Sequence, residues 1–457
     1  MGNENTANEA VHSARQALPG WAAKTPMDRG RIIASFLELM RGDGGKSLAA
    51  MMRLEAGKPI HEALGEVMKT IQILEWALGI GQRLGGITRS GEGGAVELST
   101  RARPLGVVAL TTPWNFPVAV PVWKLAPALI AGNTVVFKGS EHTPAVNTMI
   151  GEMLMQAGMP AGVVNVVQGG REVVEPLVLH QQVRGVSFTG STQVGHAIHR
   201  LLAQRDVPIP YQAELGGNNG VYIGQSADLD LAVEGVIAGK YGSAGQRCTA
   251  TQRVIVHASV MDAFLSRLTA RVGQIQLGLS DDPNIKTMGP LATQTALDRV
   301  LAMCKQASDA GQSCLIGGIR ADLGDLQYGF YVEPTVIRVT DPSVRIWREE
   351  VFGPVLAVLA VDSFEKGVNA VNDSDYGFVA SIYSEDRREL QAFRDAVEAG
   401  MIHFNEATAG GEPQVGFGGW KLTGIGPREM NEGVDFFVRR QTIFDSCATS
   451  GGKLATR

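Results

Sequence analysis

Short apolar runs alternate with helix-like segments from Gly106 to about residue 204, and this alternation constrains the fold more than any other feature of the chain. The apolar runs are 107–110, 134–137, 163–167 and 186–188, and helical spacing marks 144–157 and 192–204. Strand–helix units that repeat every roughly 25–30 residues are typical of βαβ units on a parallel sheet. The sequence therefore predicts an α/β fold with an open parallel sheet in this region.

Helical periodicity precedes this region, and a second strand–helix alternation follows it. Residues 8–85 carry apolar side chains at helical spacing, and 96–101 alternates like one strand of a hairpin. After Gly216 and Gly217, the predicted elements are strands at 254–256, 330–337, 355–361 and 379–383 and a helix at 261–272. The segment 434–444 is rich in β-forming residues and is predicted to lie outside either core.

Length and charge narrow the class of protein. The 457 residues suggest two or three domains, and 44% hydrophobic with 19% charged residues indicates a globular chain. A net charge of −5 without a basic tract argues against a nucleic-acid partner. No apolar run is long enough for a membrane span and no signal peptide is evident, so we expect no membrane partner and a cytoplasmic location.

Cysteine usage points to one reactive thiol. The chain has four cysteines, Cys248, Cys304, Cys314 and Cys447, which favours a reducing compartment over a disulfide framework. No Cys/His cluster has zinc-ligand spacing, so we expect no metal site. Polar residues flank Cys248 in the segment GQRCTA, which favours an accessible thiol over the alternative of a buried apolar cysteine. The other three lack such flanks and are predicted to be structural.

Three further segments carry residue types suited to chemistry. Glu214 ends an apolar strand and precedes two glycines, which permit close backbone approach, although a solvated strand-end carboxylate is an equal alternative. Asn115, in PWNFP, follows the first predicted parallel strand, where α/β sheets bind ligands and where an amide can stabilise an oxyanion. The segment 188–195, FTGSTQVG, predicts a strand, a turn and a helix N-terminus, a natural but non-specific phosphate site.

Six motifs in one order resemble the aldehyde dehydrogenase superfamily: PWNFP at 113–117, FTGSTxxG at 188–195, ELGG at 214–217, GQRC at 245–248, EEVFGP at 349–354 and FGG at 417–419. The resemblance implies a Rossmann-type parallel-sheet cofactor domain at 1–85 and 104–216 and an α/β catalytic domain at 217–415. It also implies a β-hairpin oligomerisation element at 86–103 and 430–450, whose hairpin pairs with tail strands of a neighbouring subunit.

The resemblance also implies site residues. Cys248 is expected to attack the aldehyde, Glu214 to activate water against the thioester, and Asn115, with the Cys248 N–H, to hold the oxyanion. Residues expected at the cofactor are Thr112, Trp114, Lys138, Ser140, Glu141, Gly190, Ser191, Leu215, Gly216, Glu350 and Phe352. In this set Lys138 and Glu141 match the adenosine ribose pair, Gly190 and Ser191 the pyrophosphate site, and Glu350 the nicotinamide ribose site with Phe352 beside the ring. Residues expected at the substrate are Phe116, Trp123, Arg247 and Thr249.

Two departures from the family pattern concern the cofactor side. Gly139 stands where the family usually has proline after the ribose lysine, and this predicts a looser adenosine site. Asn218 stands where the family often has lysine. The cofactor is expected to be NAD, with NADP possible, because the charge of Glu141 would repel a 2′-phosphate.

Residues beside Cys248 bear on the class of substrate. GQRCTA resembles members that oxidise anionic aldehydes such as 2-oxoglutarate semialdehyde, succinate semialdehyde or glyceraldehyde phosphates, and Arg247 suits a carboxylate or phosphate. The alternatives are a structural Arg247 with a neutral aldehyde as substrate, or an enzyme that acylates coenzyme A. Glu214 argues against the last, because the acylating branch typically lacks this glutamate. A homodimer or homotetramer is expected.

Overall fold

The computed structural model describes residues 2–92, 96–322 and 324–445. Cys447 and the end of the segment 430–450 therefore lie outside the described residues. The chain begins with helices, as the periodicity at 8–85 predicts. The Asn3 side chain and Thr6 form a reciprocal cap on the first helix, and the Thr25 side chain caps the second. These helices are α1 (Glu4–Ala23), α2 (Pro26–Arg41), α3 (Asp43–Ala56), α4 (Ile60–Leu78) and α5 (Ile80–Arg83).

A six-stranded sheet forms from the first strand–helix alternation. Its strands β3 and β4 are buried at every residue, as expected of parallel strands covered on both faces. The elements of this region, with the hairpin strands before them, are β1 (Thr88–Ser90), β2 (Glu97–Pro104), β3 (Val107–Thr111), α6 (Ala119–Ile130), β4 (Thr134–Lys138), α7 (Pro144–Gln156), β5 (Val164–Val166), α8 (Arg171–Leu179), β6 (Val183–Thr189), α9 (Thr192–Leu202) and β7 (Tyr211–Glu214).

A seven-stranded sheet forms from the second alternation. Its elements are β8 (Asn219–Ile223), α10 (Leu229–Tyr241), β9 (Thr251–His257), α11 (Met261–Val272), α12 (Gln294–Asp309), β10 (Ser313–Ile316), β11 (Thr335–Val339), α13 (Arg345–Arg348), β12 (Val355–Val361), α14 (Phe364–Asn372), β13 (Tyr376–Gly377), β14 (Val379–Tyr383), α15 (Arg387–Ala396) and β15 (Met401–Phe404). The strand predicted at 330–337 is displaced: it begins at Thr335, directly after Pro334, which has no N–H for a strand ladder.

The last strands are short and return to the earlier parts of the molecule. They are β16 (Gly416–Phe417), β17 (Trp420–Lys421), β18 (Gly424–Ile425), β19 (Glu429–Met430) and β20 (Val438–Asp445). The β-rich segment predicted at 434–444 is strand only from Val438, because a 3₁₀ helix covers Glu432–Phe437. Phe436 and Phe437 of that 3₁₀ helix are buried in the core of the first helices and sheet, so the prediction that the whole segment lies outside either core is wrong for them.

The sheet orders confirm the predicted α/β class. The six-stranded sheet has the order β18-β7-β6-β3-β4-β5 and is parallel except for β18. The seven-stranded sheet has the order β10-β11-β12-β9-β8-β14-β15 and is parallel except for β10. The tail thus contributes β18 to the first sheet, which the sequence did not predict. None of the described helices is both long enough and apolar enough to cross a membrane.

The hairpin is completed by the tail of its own chain. β2 pairs with β1 on one edge and, from Glu97↔Asp445 to Pro104↔Val438, with β20 on the other. The expectation that tail strands of a neighbouring subunit pair with this hairpin is therefore wrong for β2, because both of its edges are already hydrogen-bonded within the chain.

Candidate active site

A cavity of about 630 Å³ lies where the two large sheets meet. The segments after β3, β6 and β7 line it, as expected at the carboxyl ends of parallel strands. The turn before β9 and residues of α4 line it as well. The sequence predicted the strand-end segments and Cys248 at the cavity, but it did not predict the contribution of α4.

The cavity wall contains most of the predicted site residues: Trp114, Asn115, Phe116, Trp123, Gly190, Ser191, Leu215, Gly216, Arg247, Cys248, Thr249, Glu350 and Phe352. The wall does not include Thr112, Lys138, Ser140, Glu141 or Glu214. The first four of these lie at or after the ends of β3 and β4, and Glu214 lies behind the wall at the end of β7.

Cys248 follows a left-handed turn. Ser243 and Ala244 both have φ of 52°, and Gly245 continues the turn with φ of 72°. Left-handed non-glycine residues are costly and persist only where neighbouring contacts enforce them. Burial is the main reason why the pKa of the Cys248 thiol lies well above its ordinary value, and the nearby carboxylates, Glu350 first, raise it further. The raised pKa favours the protonated thiol, and the cysteine itself is only half-buried and lines the cavity, as the predicted accessible thiol requires.

Asn115 is buried beside the cysteine turn. Its side-chain Nδ2 donates to the backbone carbonyl oxygen of Gln246 across 2.9 Å. Lys58 donates its Nζ to the backbone carbonyl oxygen of Asn115 across 2.8 Å, so the asparagine is held at both its backbone and its side chain. The arrangement places an amide donor next to the nucleophile candidate, as an oxyanion site requires.

Glu214 is buried and packs against the tail. A Cβ atom at Gly418 would lie 2.1 Å from Oε1 of Glu214, so the glycine leaves the space that this carboxylate occupies. Gly418 has φ of +151°, which also favours glycine. The FGG motif at 417–419 is thus explained by the carboxylate that it accommodates, although the two are far apart in sequence.

The surroundings of Glu214 disfavour its ionised form and raise its pKa. Burial is the main cause that raises the pKa of Glu214 well above the ordinary carboxyl value, and the charge of Glu429 adds to it. Lys124 and a hydrogen bond from the Gly419 backbone act in the opposite direction. Oε2 of Glu214 has no hydrogen-bond partner in the structure. A raised pKa with one free oxygen suits a general base that acts near neutral pH.

A buried ion pair of Lys124 and Glu429 lies beside Glu214, and sequence analysis missed it. Lys124 also donates to Ser187 Oγ at 2.8 Å, and Glu429 accepts from Thr189 Oγ1 at 2.9 Å. Burial lowers the pKa of Lys124, and the charge of Glu429 opposes that shift. One signal was available, because Lys124 is the only charged residue in the otherwise apolar helix α6. A lone charge within an apolar helix indicates a buried partner.

Residues suited to a dinucleotide line one end of the site. Ser191 caps α9, whose N-terminus attracts phosphate. Glu350 accepts from the Gly217 N–H at 3.1 Å, and burial raises its pKa to about 7. Phe352 has φ of 50°, and its ring meets Trp114 edge-on with 6.0 Å between centroids.

The Asn147 side chain packs against Gly139 on the adenosine side of this region. Burial lowers the pKa of Lys138 at the end of β4, and the charges of Glu141 and Glu172 oppose this shift. A Cβ atom at Gly139 would lie 2.1 Å from Oδ1 of Asn147, so the Asn147 side chain fills the space beside this glycine. The looser adenosine site that Gly139 predicts stays a prediction.

The remaining cofactor-side residues are held in place by backbone contacts. The Thr112 N–H donates to the Lys138 carbonyl oxygen at 3.2 Å, and Ser140 accepts from the His142 N–H at 3.2 Å. Asn218, the second departure from the family pattern, is buried, and its Nδ2 donates to the carbonyl oxygens of Trp347 and Arg348. Among the described residues, no group of three or more His, Cys, Asp or Glu side chains is arranged to hold a metal ion.

The substrate end of the cavity combines aromatic and cationic side chains. Phe116 has two cations near its ring, with Lys58 Nζ 4.3 Å and the Arg247 guanidinium carbon 5.9 Å from the ring centroid. Trp123 packs against Phe417 with 5.0 Å between centroids. Thr249 is buried next to Cys248.

Helix α4 supplies polar residues to the cavity that sequence analysis missed. Glu62, Glu66 and Lys69 all line it. Glu62 and Glu66 are one turn apart and are almost fully buried, whereas unpaired carboxylates are seldom buried. Their burial depends on contacts with distant segments, so helical periodicity alone did not indicate their role.

Comparisons with known proteins agree with this geometry. The model of the "Aldehyde dehydrogenase family" matches residues 1–443. The chain is 39% identical over 438 residues to "Alpha-ketoglutaric semialdehyde dehydrogenase" of Bacillus subtilis, which covers 95% of this chain and 89% of that protein. It is 40% identical over 449 residues to "Alpha-ketoglutarate semialdehyde dehydrogenase" of Haloferax volcanii, which covers 97% of this chain and 92% of that protein.

A solved structure extends the comparison to the fold. Betaine aldehyde dehydrogenase of Staphylococcus aureus, in complex with NAD+, is 30% identical and superimposes with a TM-score of 0.93 over 99% of this chain and 89% of that one. The similarity covers the cofactor side, the cysteine turn and the tail together. The chain therefore belongs to the aldehyde dehydrogenase family and is an NAD(P)-dependent oxidoreductase of that family.

Proposed function

We propose that this enzyme oxidises a short aldehyde that carries a carboxylate, 2-oxoglutarate semialdehyde or succinate semialdehyde, to the carboxylic acid. Two relatives at 39% and 40% identity carry the name of the first substrate. The observation that carries the proposal is Arg247, a partly uncommitted cation in the cavity wall one residue before the nucleophile.

The contacts of Arg247 leave donors for a substrate. Its Nε lies 3.3 Å from Ser243 Oγ, and its Nη2 lies 3.8 Å from Glu62 Oε1, so neither contact is short. Lys58, the other cation at Phe116, is committed to Glu66 and to the Asn115 carbonyl oxygen. Arg247 is therefore the better partner for a substrate carboxylate, because a guanidinium binds carboxylates in a bidentate manner.

The proposed reaction begins at Cys248. The thiol proton of Cys248 passes to water in the cavity, the thiolate adds to the aldehyde carbon, and the carbonyl oxygen becomes an oxyanion held by the Asn115 amide and the Cys248 N–H. Asn115 has two amide N–H groups and donates one of them to Gln246, which leaves the other for the oxyanion. Loss of a hydride from the resulting thiohemiacetal leaves a thioester on Cys248.

Glu214 is proposed to activate the water that hydrolyses the thioester. Its carboxylate rests behind the cavity wall against Gly418, so it must turn about its side-chain torsions to reach water in the cavity. The unpartnered Oε2 favours such a turn because no hydrogen bond to that atom has to be broken. Water then attacks the thioester carbon, Glu214 takes its proton, and the thiolate leaves with the carboxylic acid as product.

The described residues fit a bound NAD. We propose that Lys138 and Glu141 hold the adenosine ribose, that the start of α9 with Gly190 and Ser191 holds the pyrophosphate, and that Glu350 holds the nicotinamide ribose. The buried Oγ1 of Thr112 has no partner in the structure, which suits a site that a ligand completes. NAD, when bound, supplies the hydride acceptor.

We also infer that the enzyme is a cytoplasmic homo-oligomer. Each subunit would have a cofactor domain at 1–85 and 104–216, a catalytic domain at 217–415 and an oligomerisation element at 86–103 and 430–450. The sheet β1-β2-β20 leaves the outer edges of β1 and β20 unpaired among the described residues, and Phe444 on β20 is exposed. Open strand edges are usually covered, and a second copy of the chain is a natural cover. Sedimentation of the purified protein checks this: a monomer at micromolar concentration contradicts it.

An aldehyde panel tests the proposed substrate. NADH formation is measured with 2-oxoglutarate semialdehyde, succinate semialdehyde, pentanal and betaine aldehyde, and the C248A variant serves as the control without a nucleophile. We expect the highest kcat/KM with a semialdehyde and no NADH from C248A. Highest efficiency with pentanal or betaine aldehyde contradicts the proposed substrate class, and wild-type turnover by C248A contradicts the mechanism.

A further inference from the structure

We infer that Glu62 and Glu66, one turn apart on α4, are positioning residues that set the distance between the Cys248 turn and the Asn115 loop. The inference rests on the proposed roles of Cys248 and Asn115. Neither carboxylate needs to touch the substrate in this role. Each acts through backbone groups of a different catalytic segment, and the helix between them fixes their separation.

Glu62 holds the left-handed turn before Cys248. Its Oε1 accepts from the Ser243 N–H at 2.7 Å, and its Oε2 accepts from Ser243 Oγ at 3.1 Å. The turn contains consecutive left-handed residues, which need enforcement from outside the turn. Because both oxygens of Glu62 bind the first of these residues, the carboxylate supplies that enforcement.

Glu66 holds the loop that carries Asn115. Its Oε1 accepts from the N–H groups of Val118 and Ala119, at 2.8 Å and 3.0 Å, at the start of α6. Its Oε2 pairs with Lys58, which in turn donates to the Asn115 carbonyl oxygen. The carboxylate thus fixes the loop on both sides of Phe116, directly at its C-terminal end and through Lys58 at Asn115.

The contacts of Glu62 and those of Glu66 are joined into one ring by Asn115. The Asn115 amide donates to the Gln246 carbonyl oxygen, which belongs to the segment that Glu62 holds. Helix α4, the cysteine turn and the asparagine loop are therefore each bonded to the other two. The side chain of Glu66 is fully buried and that of Glu62 is only 10% exposed, so these charge-assisted bonds are shielded from water. A shift of any one of these three segments would therefore move the Asn115 amide relative to the Cys248 sulfur.

Alanine variants of the full-length enzyme with NAD test the inference. A misplacement of about 1 Å between reacting groups typically costs on the order of a hundredfold in rate. We expect E62A and E66A each to lower the rate of the NADH burst by about tenfold or more, with the KM for NAD within about twofold of wild type. E62Q should recover most of the loss, because its amide oxygen still accepts from the Ser243 N–H.

Two further measurements separate positioning from general stability. Alkylation of Cys248 by iodoacetamide should slow in E62A, which frees the cysteine turn, and remain near wild type in E66A. Glu55 offers a matched control, because its carboxylate accepts from the Ala145 and Val146 N–H groups at the start of α7, outside the ring. E55A should lower the unfolding temperature and leave the burst rate within about twofold.

The double variant E62A/E66A decides whether the two residues set one shared distance. Its loss in burst rate should be clearly smaller than the product of the two single losses, as for residues that act as a unit. Multiplicative losses, or a lowered unfolding temperature with an unchanged burst, overturn the inference. Turnover by C248A would instead overturn the proposed function, so the two failures are distinguishable.

Discussion

Nδ2 of Asn115 lies 2.9 Å from the backbone carbonyl oxygen of Gln246, two residues before Cys248. This hydrogen bond joins the loop after β3 to the turn before β9, which belong to different sheets. It uses one N–H of the amide, and the second N–H is the donor that we propose for the oxyanion. The site is therefore organised by contacts between the two sheets, and its chemistry yields specific expectations.

Substitution of Glu214 by glutamine should separate the two halves of the reaction. We expect E214Q to keep a burst of NADH close to one per active site and then to turn over at least about a hundredfold more slowly, because general-base assistance contributes about 10²–10⁴-fold. Rapid-quench or stopped-flow absorbance measures both phases. A variant that loses the burst, with hydride transfer limiting, would show that Glu214 is not the deacylation base.

Removal of the charge of Glu429 should shift the pH dependence of hydrolysis. Glu429 raises the pKa of Glu214, and Glu214 accepts a proton only when ionised, so hydrolysis should increase as pH rises through that raised pKa. In E429Q the pKa of Glu214 should fall, and the half-maximal rate should move to lower pH. The pH profile of steady-state kcat measures this midpoint. E214Q is the control, because its profile should lack the rise of kcat with pH. An unchanged or upward-shifted midpoint would contradict the prediction.

A side chain at Gly139 should destabilise the protein through Asn147. A Cβ atom there meets the Asn147 amide, so G139A should cost about 1–3 kcal/mol of stability as other overpacked sites do. The double variant G139A/N147A should recover part of this loss, although it removes the hydrogen bond from Asn147 to the Ser140 carbonyl oxygen. Thermal unfolding of the wild type, G139A, N147A and G139A/N147A gives the coupling free energy between the two positions. Additive shifts would show that the two residues do not compete for space.

NAD should be preferred over NADP. Glu141 and Glu172 both act on Lys138, so two negative charges would face a 2′-phosphate beside a single cation. We expect a higher kcat/KM with NAD and a preference that falls by about fivefold in E141Q, because one repulsive charge is removed. The measurement uses saturating aldehyde and varied cofactor. Equal or better efficiency with NADP in the wild type would overturn the expectation.

Arg247→Met should lower the catalytic efficiency on semialdehydes selectively. A hydrogen bond to a charged group contributes roughly 1.5–3 kcal/mol, so kcat/KM on a semialdehyde should fall by about one to two orders of magnitude. Pentanal has a similar length and no carboxylate, so its kcat/KM should change little. The ratio of the two substrates cancels general damage to the site. Equal losses of kcat/KM on the semialdehyde and on pentanal would show that Arg247 has a structural role.

The fold was largely predictable because its signals are local. The strands at 355–361 and 379–383 and the helix at 261–272 coincide with the structure, since each is a continuous apolar or amphipathic segment. The start of β11 and the intrachain pairing of β2 with β20 were not predicted correctly. The start of β11 depends on Pro334, and the pairing of β2 depends on a strand far along the chain. Hydrophobic periodicity indicates neither of these features.

The candidate site was predictable only where motifs carried it. Cys248, Asn115 and Glu350 line the cavity as the motifs suggested. The resting position of Glu214 behind the wall and its contact with Gly418 depend on how the tail packs, which a motif does not encode. The ring formed by Glu62 and Glu66 was not predictable for the same reason, because each carboxylate accepts from backbone N–H groups more than fifty positions away in sequence.

The packing of Gly418 on Glu214 has a consequence for how the enzyme is made. The tail supplies both the cover of this carboxylate and β18, the strand beside β7, while the other strands of both large sheets precede it in the chain. During synthesis, a nascent chain can assemble those strands before residues 416–430 have left the ribosome. Over that interval the cysteine turn can form while Glu214 still lacks its neighbours from the tail, so the carboxylate receives its final surroundings after the sheets have formed.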